Sequence, residues 1–388
     1  MIDALTLLNE EQVSSAIREN LYELRSKSDK KRRIALYAER EYAESTAFDV
    51  KLIADADGRL RHRAVGIVGR PAVKPKRGST RVGSEGMIAH VVSQACESWP
   101  KLFMNHPGPD RIRGKTQPAG SIAIVTDFIG SGARIRDMLD AFWRVPSVRS
   151  WASRKWINFI VIAAAATTAG LENVERHRCR PRVLFSHAVP TVSSHSDWRR
   201  ASAWRKLIGQ YGPNIGRGTG RFGFGGNSAL IAFSYRIPNN TPALIHHSDS
   251  AWNALYNGAI PPDLRPAFGM RSVEHVIAQA AANNGVVISE GMPAKDASVI
   301  LILSLLKGRW RPGTEVSLSE RTGLSVPDVW DILRGALKDG LIDRRGRLSN
   351  AGQALLGAGR RQQRKRPLAH TNELPYIPQA LRTPREIV

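Results

Sequence analysis

Cysteine is nearly missing from this chain. Its 388 residues hold two, Cys96 and Cys179. Neither sits in a CxxC pair or at Cys/His ligand spacing, which argues against a disulfide framework and a zinc site. The ten histidines are scattered, and the adjacent pair His246 and His247 would point to opposite faces of a strand. HExxH is absent, as is the P-loop pattern Gly-x-x-x-x-Gly-Lys. No Gly-x-Ser-x-Gly falls at a strand-to-helix turn. Long apolar runs are lacking too: the best, residues 157–166 (INFIVIAAAA), is far too short to span a bilayer as a helix. Residues 1–8 show no basic segment leading into an apolar stretch, so no secretory signal and a cytoplasmic location are expected. Acid is scarce: 34 Asp and Glu face 57 Lys and Arg, a formal net charge of +23. A surplus that large points to a polyanionic partner, phosphate above all. What remains is ordinary, with 42% hydrophobic and 23% charged residues. That composition excludes wholesale disorder, collagen and coiled coil. The length allows two or three domains of ~100–200 residues.

Residues 1–47 read as an N-terminal helical segment. Val13, Ile17, Leu21 and Leu24 recur at helical steps. A basic break at 26–33 follows, and 34–43 is expected to resume as a second helix. Residues 48–285 read as one α/β domain. Strands at 48–54, 64–68, 122–125, 159–166 and 183–185 alternate with helices at 86–96, 135–142 and 169–176. That alternation implies a mostly parallel sheet. Eight glycines fall between Gly209 and Gly226. They mark a loop that either approaches a ligand closely or is simply a flexible surface segment; a strand is expected at 229–235.

Residues 290–356 read as a winged helix-turn-helix. Helices are expected at 297–306 and 316–322. Ser325 caps a third, with Pro327 in its first turn, and Gly340 stops it. Val329, Ile332, Leu333, Ala336 and Leu337 form the expected buried stripe. Arg345-Gly346 would turn a tight hairpin, the wing. Residues 357–388 read as a basic tail beginning Arg360, Arg361, Arg364, Lys365, Arg366.

The most informative stretch is 121–134, SIAIVTDFIGSGAR. An apolar strand runs into Thr126-Asp127, then Gly130-Ser131-Gly132, then a helix. Backbone N–H groups at such a turn suit a phosphate monoester. Gly130 and Gly132 permit close approach, and Ser131 can donate a hydroxyl. Asp127 is placed to accept from ribose hydroxyls or to hold Mg2+ bridged to phosphate oxygens.

This segment resembles the ribose-phosphate loop of the phosphoribosyltransferases. In that family the strand usually ends in two acids; here Thr126 replaces the first, and Arg134 stands where a hydroxyl residue is common. Residues 64–70, 78–87, 126–132 and 224–240 look like a divergent bacterial group of phosphoribosyltransferase-like effectors associated with conflict systems, including retrons. The resemblance spans roughly 48–385. It implies Asp127 at the ribose or a metal, and Thr126, Gly130, Ser131, Gly132, Ala133 and Arg134 around the 5′-phosphate. Arg81 and Ser84 would meet pyrophosphate or a second phosphate, and Thr167 and Thr168 would lie on the same ligand-binding sheet edge. Glu85 is the implied acid/base candidate. It further implies a toxin restrained by a reverse transcriptase and its DNA product. Loss of the first acid removes one group that would stabilise an oxocarbenium-like transition state. Nucleotide binding and hydrolysis of an N-glycosidic bond therefore stand beside standard base transfer as readings.

Trp143, Trp151, Trp156, Trp198 and Trp204 stand among arginines. That pattern fits base stacking with phosphate contact, and equally fits half-buried tryptophans. The third helix of the winged unit carries Asp328, Asp331 and Asp339, which suit a groove-reading face poorly. Nucleic-acid contact is therefore expected through Arg344, Arg345 and Arg347 of the wing and the Arg360, Arg361, Arg364, Lys365, Arg366 tail. The alternative is a nucleotide-sensing transcription regulator with an inactive transferase-like domain, or a scaffold without chemistry, which the charge disfavours. Whether the chain assembles into oligomers is left open by the sequence.

Overall fold

The structure is a computed structural model. It describes residues 1–364 apart from 28–31, 55–56, 72–83, 196, 217–218, 257–259, 270–271, 290 and 307. A short β1 (Thr6–Leu8) and α1 (Glu10–Lys27) lead into β2 (Arg33–Ala38). Next come β3 (Asp49–Ala54), β4 (Leu60–Val65), α2 (Ser84–Ser98), β5 (Phe103–Asn105) and β6 (Ala119–Ile129). They are followed by α3 (Ala133–Trp143), α4 (Pro146–Ser153), β7 (Asn158–Ala166), α5 (Thr168–Glu175), β8 (Arg182–Ala188), α6 (Trp198–Tyr211) and β9 (Ile231–Phe233). The C-terminal unit is built from α7 (Val273–Asn284), α8 (Ala294–Leu305), α9 (Thr314–Thr322), α10 (Val326–Lys338) and α11 (Asn350–Arg364).

Five parallel strands form the central sheet in the order β5-β2-β6-β7-β8. The apolar run at 157–166 becomes β7, covered on both faces as an inner parallel strand must be. On one face Ile122, Ile124 and Val161 pack with Ile135, Met138 and Phe142 of α3. On the other, Ala123, Val125 and Ile162 pack with Ile17 and Leu21 of α1 and Val91 of α2. Burying each such Ile or Leu is worth roughly 1.5–3 kcal/mol. The chain order turns back between β2 and β6, and the crevice beyond their carboxyl ends is where open α/β sheets bind ligands.

The helix expected at 34–43 is instead the strand β2. Ala35 and Tyr37 enter one core cluster while Ile34, Leu36 and Ala38 enter the other. Alternation across a sheet therefore overrode the helical preference of alanine and leucine. Consequently residues 1–47 do not stand apart. β2 lies inside the sheet, α1 packs on it, and β1 pairs with β9. The strand expected at 64–68 runs over 60–65 and pairs antiparallel with β3, outside the central sheet. That expected at 229–235 is reduced to β9, and α4, α6, α7 and α11 are helices the sequence reading did not place.

The C-terminal unit has its own core, including Ile277, Leu301, Leu305, Val329, Leu333 and Ala336. Ser325 caps α10 by accepting from the Asp328 N–H at 3.1 Å. Leu337, expected in the buried stripe, is instead exposed. The wing is a turn closed by one bridge, Ile342 to Leu348. Asp343 shapes it by accepting from the Arg345 and Arg347 N–H groups at 2.8 and 2.9 Å. Gly346 takes φ +76° there, and a Cβ would crowd Trp310, whose N–H donates to the Gly346 carbonyl. The expected basic tail begins as the end of α11, with Arg360, Arg361 and Arg364 in the helix; Lys365 and Arg366 lie outside the described residues.

The winged unit packs α9 and α10 against β8, an outermost strand of the sheet. The Ala188 N–H approaches Ser319 Oγ at 3.4 Å. Glu320 accepts from the hydroxyls of Ser194 and, at 3.5 Å, Thr168. Burial holds His187 on β8 down at about 4, so it faces Asp328 as a neutral ring.

Candidate functional site: the amide loop after β6

β6 ends at Ile129, and residues 130–132 turn the chain into α3. Two carbonyls in this turn are tied back into the protein. Thr167 Oγ1 and Asn227 Nδ2 donate to the Gly130 carbonyl at 2.6 and 3.0 Å. Asn173 Nδ2, on α5, donates to the Ser131 carbonyl at 2.7 Å. In a planar trans peptide the N–H points opposite to its C=O. The N–H groups of Ser131 and Gly132 therefore face away from α5, at the amino end of α3. Gly132 takes φ +77°, and a Cβ there would stand 2.7 Å from the Gly170 carbonyl oxygen. A Cβ on Gly130 would overlap the Asn240 carboxamide. Gly132 therefore requires glycine, whereas a side chain at 130 would have to push the Asn240 side chain aside.

The turn lines a cleft of about 380 Å³, within the usual size of small-ligand sites. Residues 128–135 form its floor, Glu41, Tyr42 and Ala43 one wall, and Phe224, Asn239 and Asn240 another. Gly130, Ser131, Gly132, Ala133 and Arg134 thus come together on one surface. Thr167 lies beneath the loop and is fully buried, whereas Thr168 turns to Glu320 of the winged unit. Ser84 is buried and lies 3.5 Å from an Arg236 nitrogen. Arg81 lies outside the described residues.

Thr126 and Asp127 stand side by side at the end of β6, with Thr126 Oγ1 3.4 Å from Asp127 Oδ1. Thr126 is fully buried and donates its hydroxyl to Glu39, which follows β2 on the neighbouring strand. Asp127 Oδ2 accepts from the Tyr235 hydroxyl at 3.1 Å. Burial and Asp127 together push the Tyr235 phenol upward, so it stays protonated and donating. Arg134 does not point into open solvent beside the loop. Its Nε is 2.8 Å from Glu39 Oε1, and Nη2 is 3.1 Å from Glu85 Oε1; Glu41 lies at 3.9 Å. The Glu39 contact is close but not aligned as a hydrogen bond, which leaves Nε and Oε1 with unspent bonding capacity. Burial drives the Glu39 carboxyl up to about 7 against the pull of Arg134, with Asp127 and Glu85 adding to the rise. Glu39, Asn173, Asn227, Tyr235 and Asn240 escaped sequence reasoning, because each reaches the site from a distant segment.

Among the described residues no group of three or more His, Cys, Asp or Glu is arranged to hold a metal ion. No described helix is long and apolar enough to cross a membrane. Of the tryptophans, Trp151 is buried in the core, whereas Trp156 and Trp198 are exposed beneath Arg154 and Arg199. Arg344, Arg345 and Arg347 of the wing are exposed.

Residues 108–257 match the family model described as PRTase-CE. Residues 300–383 match the one described as wHTH-PRTase associated. Neither the curated proteins nor the solved structures contain a match to this chain. The chain thus carries a phosphoribosyltransferase-like α/β domain, with the amide loop inside the matched segment, followed by a winged helix of a kind associated with such domains.

Proposed function

We propose that the amide loop binds the 5′-phosphate of a phosphorylated pentose and that Asp127 meets its ribose hydroxyls. The observation carrying this reading is the tethering of the Gly130 and Ser131 carbonyls, which aims the next two amides outward at a helix N-terminus. Mg2+ would enter only with the ligand. Asp127 Oδ2 is engaged by Tyr235, while among the described residues Oδ1 makes one hydrogen-bond contact, at 3.4 Å with Thr126, and would share in holding a phosphate-bound ion. In this reading the chain is an effector of a retron-type anti-phage system, a toxin acting on nucleotides and held in check by a reverse transcriptase and its DNA product. Resemblance of the loop and flanking segments to that group supports it, as does the charge of +23.

Ribose 5-phosphate tests the first claim by titration calorimetry. Asp127→Asn is expected to weaken binding at least tenfold while leaving inorganic phosphate affinity nearly unchanged, because a charge-assisted hydrogen bond contributes about 1.5–3 kcal/mol. Equal ribose 5-phosphate affinity in the two proteins overturns the assignment of Asp127. For the effector claim, expression of the chain alone should arrest growth or deplete nucleotides, and Asp127→Asn should relieve it.

Nucleic acid is assigned to the wing and the basic segment after it. The rival regulator reading needs the first turn of α10 in a major groove, yet that turn lies against β8 and His187. Replacing Arg344, Arg345 and Arg347 together with glutamine should weaken binding to all duplex sequences alike. The log–log salt slope should fall by about 0.9 for each phosphate that the variant no longer neutralises. A sequence-dependent loss would favour the regulator.

A further inference from the structure

One acid of the winged unit reaches back into the α/β half. Glu320, near the end of α9, is partly buried, and among the described residues hydroxyls rather than cations meet its carboxylate. Ser194 Oγ donates to Oε1, and Thr168 Oγ1 lies 3.5 Å from Oε2. Burial pushes the carboxyl up, and the two hydroxyls pull it back. Those hydroxyls belong to the two segments that clamp the amide loop. Thr168 opens α5 and directly follows Thr167, whose Oγ1 donates to the Gly130 carbonyl at 2.6 Å. The Thr167 N–H also donates to the Ile129 carbonyl at 3.0 Å. A shift of residue 168 therefore drags the first clamp. Ser194 lies between β8 and α6 and is locked to Thr191. The Thr191 N–H donates to Ser194 Oγ at 2.9 Å, and the Ser194 N–H donates to Thr191 Oγ1 at 3.0 Å. In the same turn the Val192 N–H donates to the Ser228 carbonyl at 3.0 Å. Ser228 follows Asn227, whose Nδ2 is the second donor to the Gly130 carbonyl. One carboxylate thus joins both arms of the clamp from outside the domain. The Gly130 carbonyl in turn fixes the direction of the Ser131 N–H, because the two share a planar peptide.

We propose that Glu320 is a positioning residue for the amide loop: on the reading that this loop binds phosphate, the winged unit sets the phosphate affinity by holding both clamps in register. Glu320 touches no ligand and acts through Thr167 and Asn227. Members of such a hydrogen-bonded network share their energy, so losing the one common to both arms loosens each. The Ser194 arm acts through Asn227 alone, and the Thr168 arm through Thr167.

Titration calorimetry of the full chain with inorganic phosphate and with ribose 5-phosphate reads this role. Glu320→Ala should weaken both ligands about tenfold, and Glu320→Gln, which keeps an acceptor oxygen for the hydroxyls, about twofold. Ser194→Ala should weaken them about threefold in the wild-type background, and no further in Asn227→Ala, where its arm is already cut. Ser319→Ala loosens the same interface at β8 rather than at either clamp and should bind as the wild type does. Wild-type affinity in Glu320→Ala overturns the proposal and leaves the phosphate reading of the loop standing. A wild-type chain that binds neither ligand fells that reading and the proposal with it. Additive losses from Ser194→Ala and Asn227→Ala also overturn it, as does a Ser319→Ala loss equal to that of Glu320→Ala, since Glu320 would then act by docking the unit alone. If Glu320→Ala unfolds by circular dichroism, the Ser194 and Asn227 cycle decides.

Discussion

Gly170→Ala should cost about 3 kcal/mol of stability and abolish ribose 5-phosphate binding. A Cβ at this position would overlap the Gly130 carbonyl oxygen and stand 2.7 Å from that of Ile129. Both are backbone atoms at the end of β6, so no side chain can swing aside. The Gly130 carbonyl is also the one that Thr167 and Asn227 hold, and its displacement rotates the Ser131 amide out of the cleft. Overpacking against fixed backbone falls at the upper end of the usual range. Gly209 on α6 is the control, since an added Cβ there meets nothing within 4 Å. Gly209→Ala should stabilise by roughly 0.5–1 kcal/mol through helix propensity. Urea denaturation and calorimetry on both variants check the contrast. Wild-type stability and binding in Gly170→Ala would mean that the loop is not clamped by α5.

Arg134→Ala should lose about 1–1.5 kcal/mol more at pH 8 than at pH 5. Arg134 is the cation among Glu39, Glu41 and Glu85, and only Glu39 is buried. With Arg134 in place the folded Glu39 carboxyl titrates near 7, above its ordinary value of 4.5. The folded state therefore binds the proton more tightly than the unfolded chain. Stability from that proton is complete below about pH 4.5 and is lost as pH rises through 7. Without the guanidinium the upper limit moves higher still, so the deficit opens with increasing pH. Glu39→Gln in the wild-type background should flatten the pH dependence of stability between pH 5 and 7. In the Arg134→Ala background it should restore most of the loss, because an amide needs no counter-charge. Denaturation curves at pH 5 and 8 measure all four proteins. A loss independent of pH, or no rescue by Glu39→Gln, would show that Arg134 acts through packing instead.

The loop after β6 was legible because its cause is local. Apolar alternation, an acid, two glycines and a helical stripe all fall within 121–142. β7 and the Ser325 cap were legible for the same reason. β2 was not, because Ala35, Leu36 and Ala38 suit a helix and only pairing with β5 and β6 makes them a strand. The partner of Thr126 was invisible for a related reason. Glu39 comes alongside only once β2 takes its register, with the Glu39 N–H on the Val125 carbonyl at 2.8 Å. Arg134 read as a phosphate ligand from its place in the motif, whereas the fold surrounds it with carboxylates from two other segments. Asn227, Tyr235 and Asn240 lie in the 224–240 stretch that carries part of the resemblance, but which of its residues reach the loop, and that Asn173 joins them, is decided by long-range contacts alone.

The docking of α9 and α10 on β8 bears on how this molecule can be divided. An outermost strand offers a row of unpaired N–H and C=O groups to which a strand from another copy can add. Here Ser319 approaches one of those N–H groups, and the helices cover its neighbours. A chain cut before α7 would lay that flank bare. The isolated α/β half is therefore expected to clump into aggregates more readily than the whole chain, and light scattering on the two would reveal the winged unit as a guard against self-pairing.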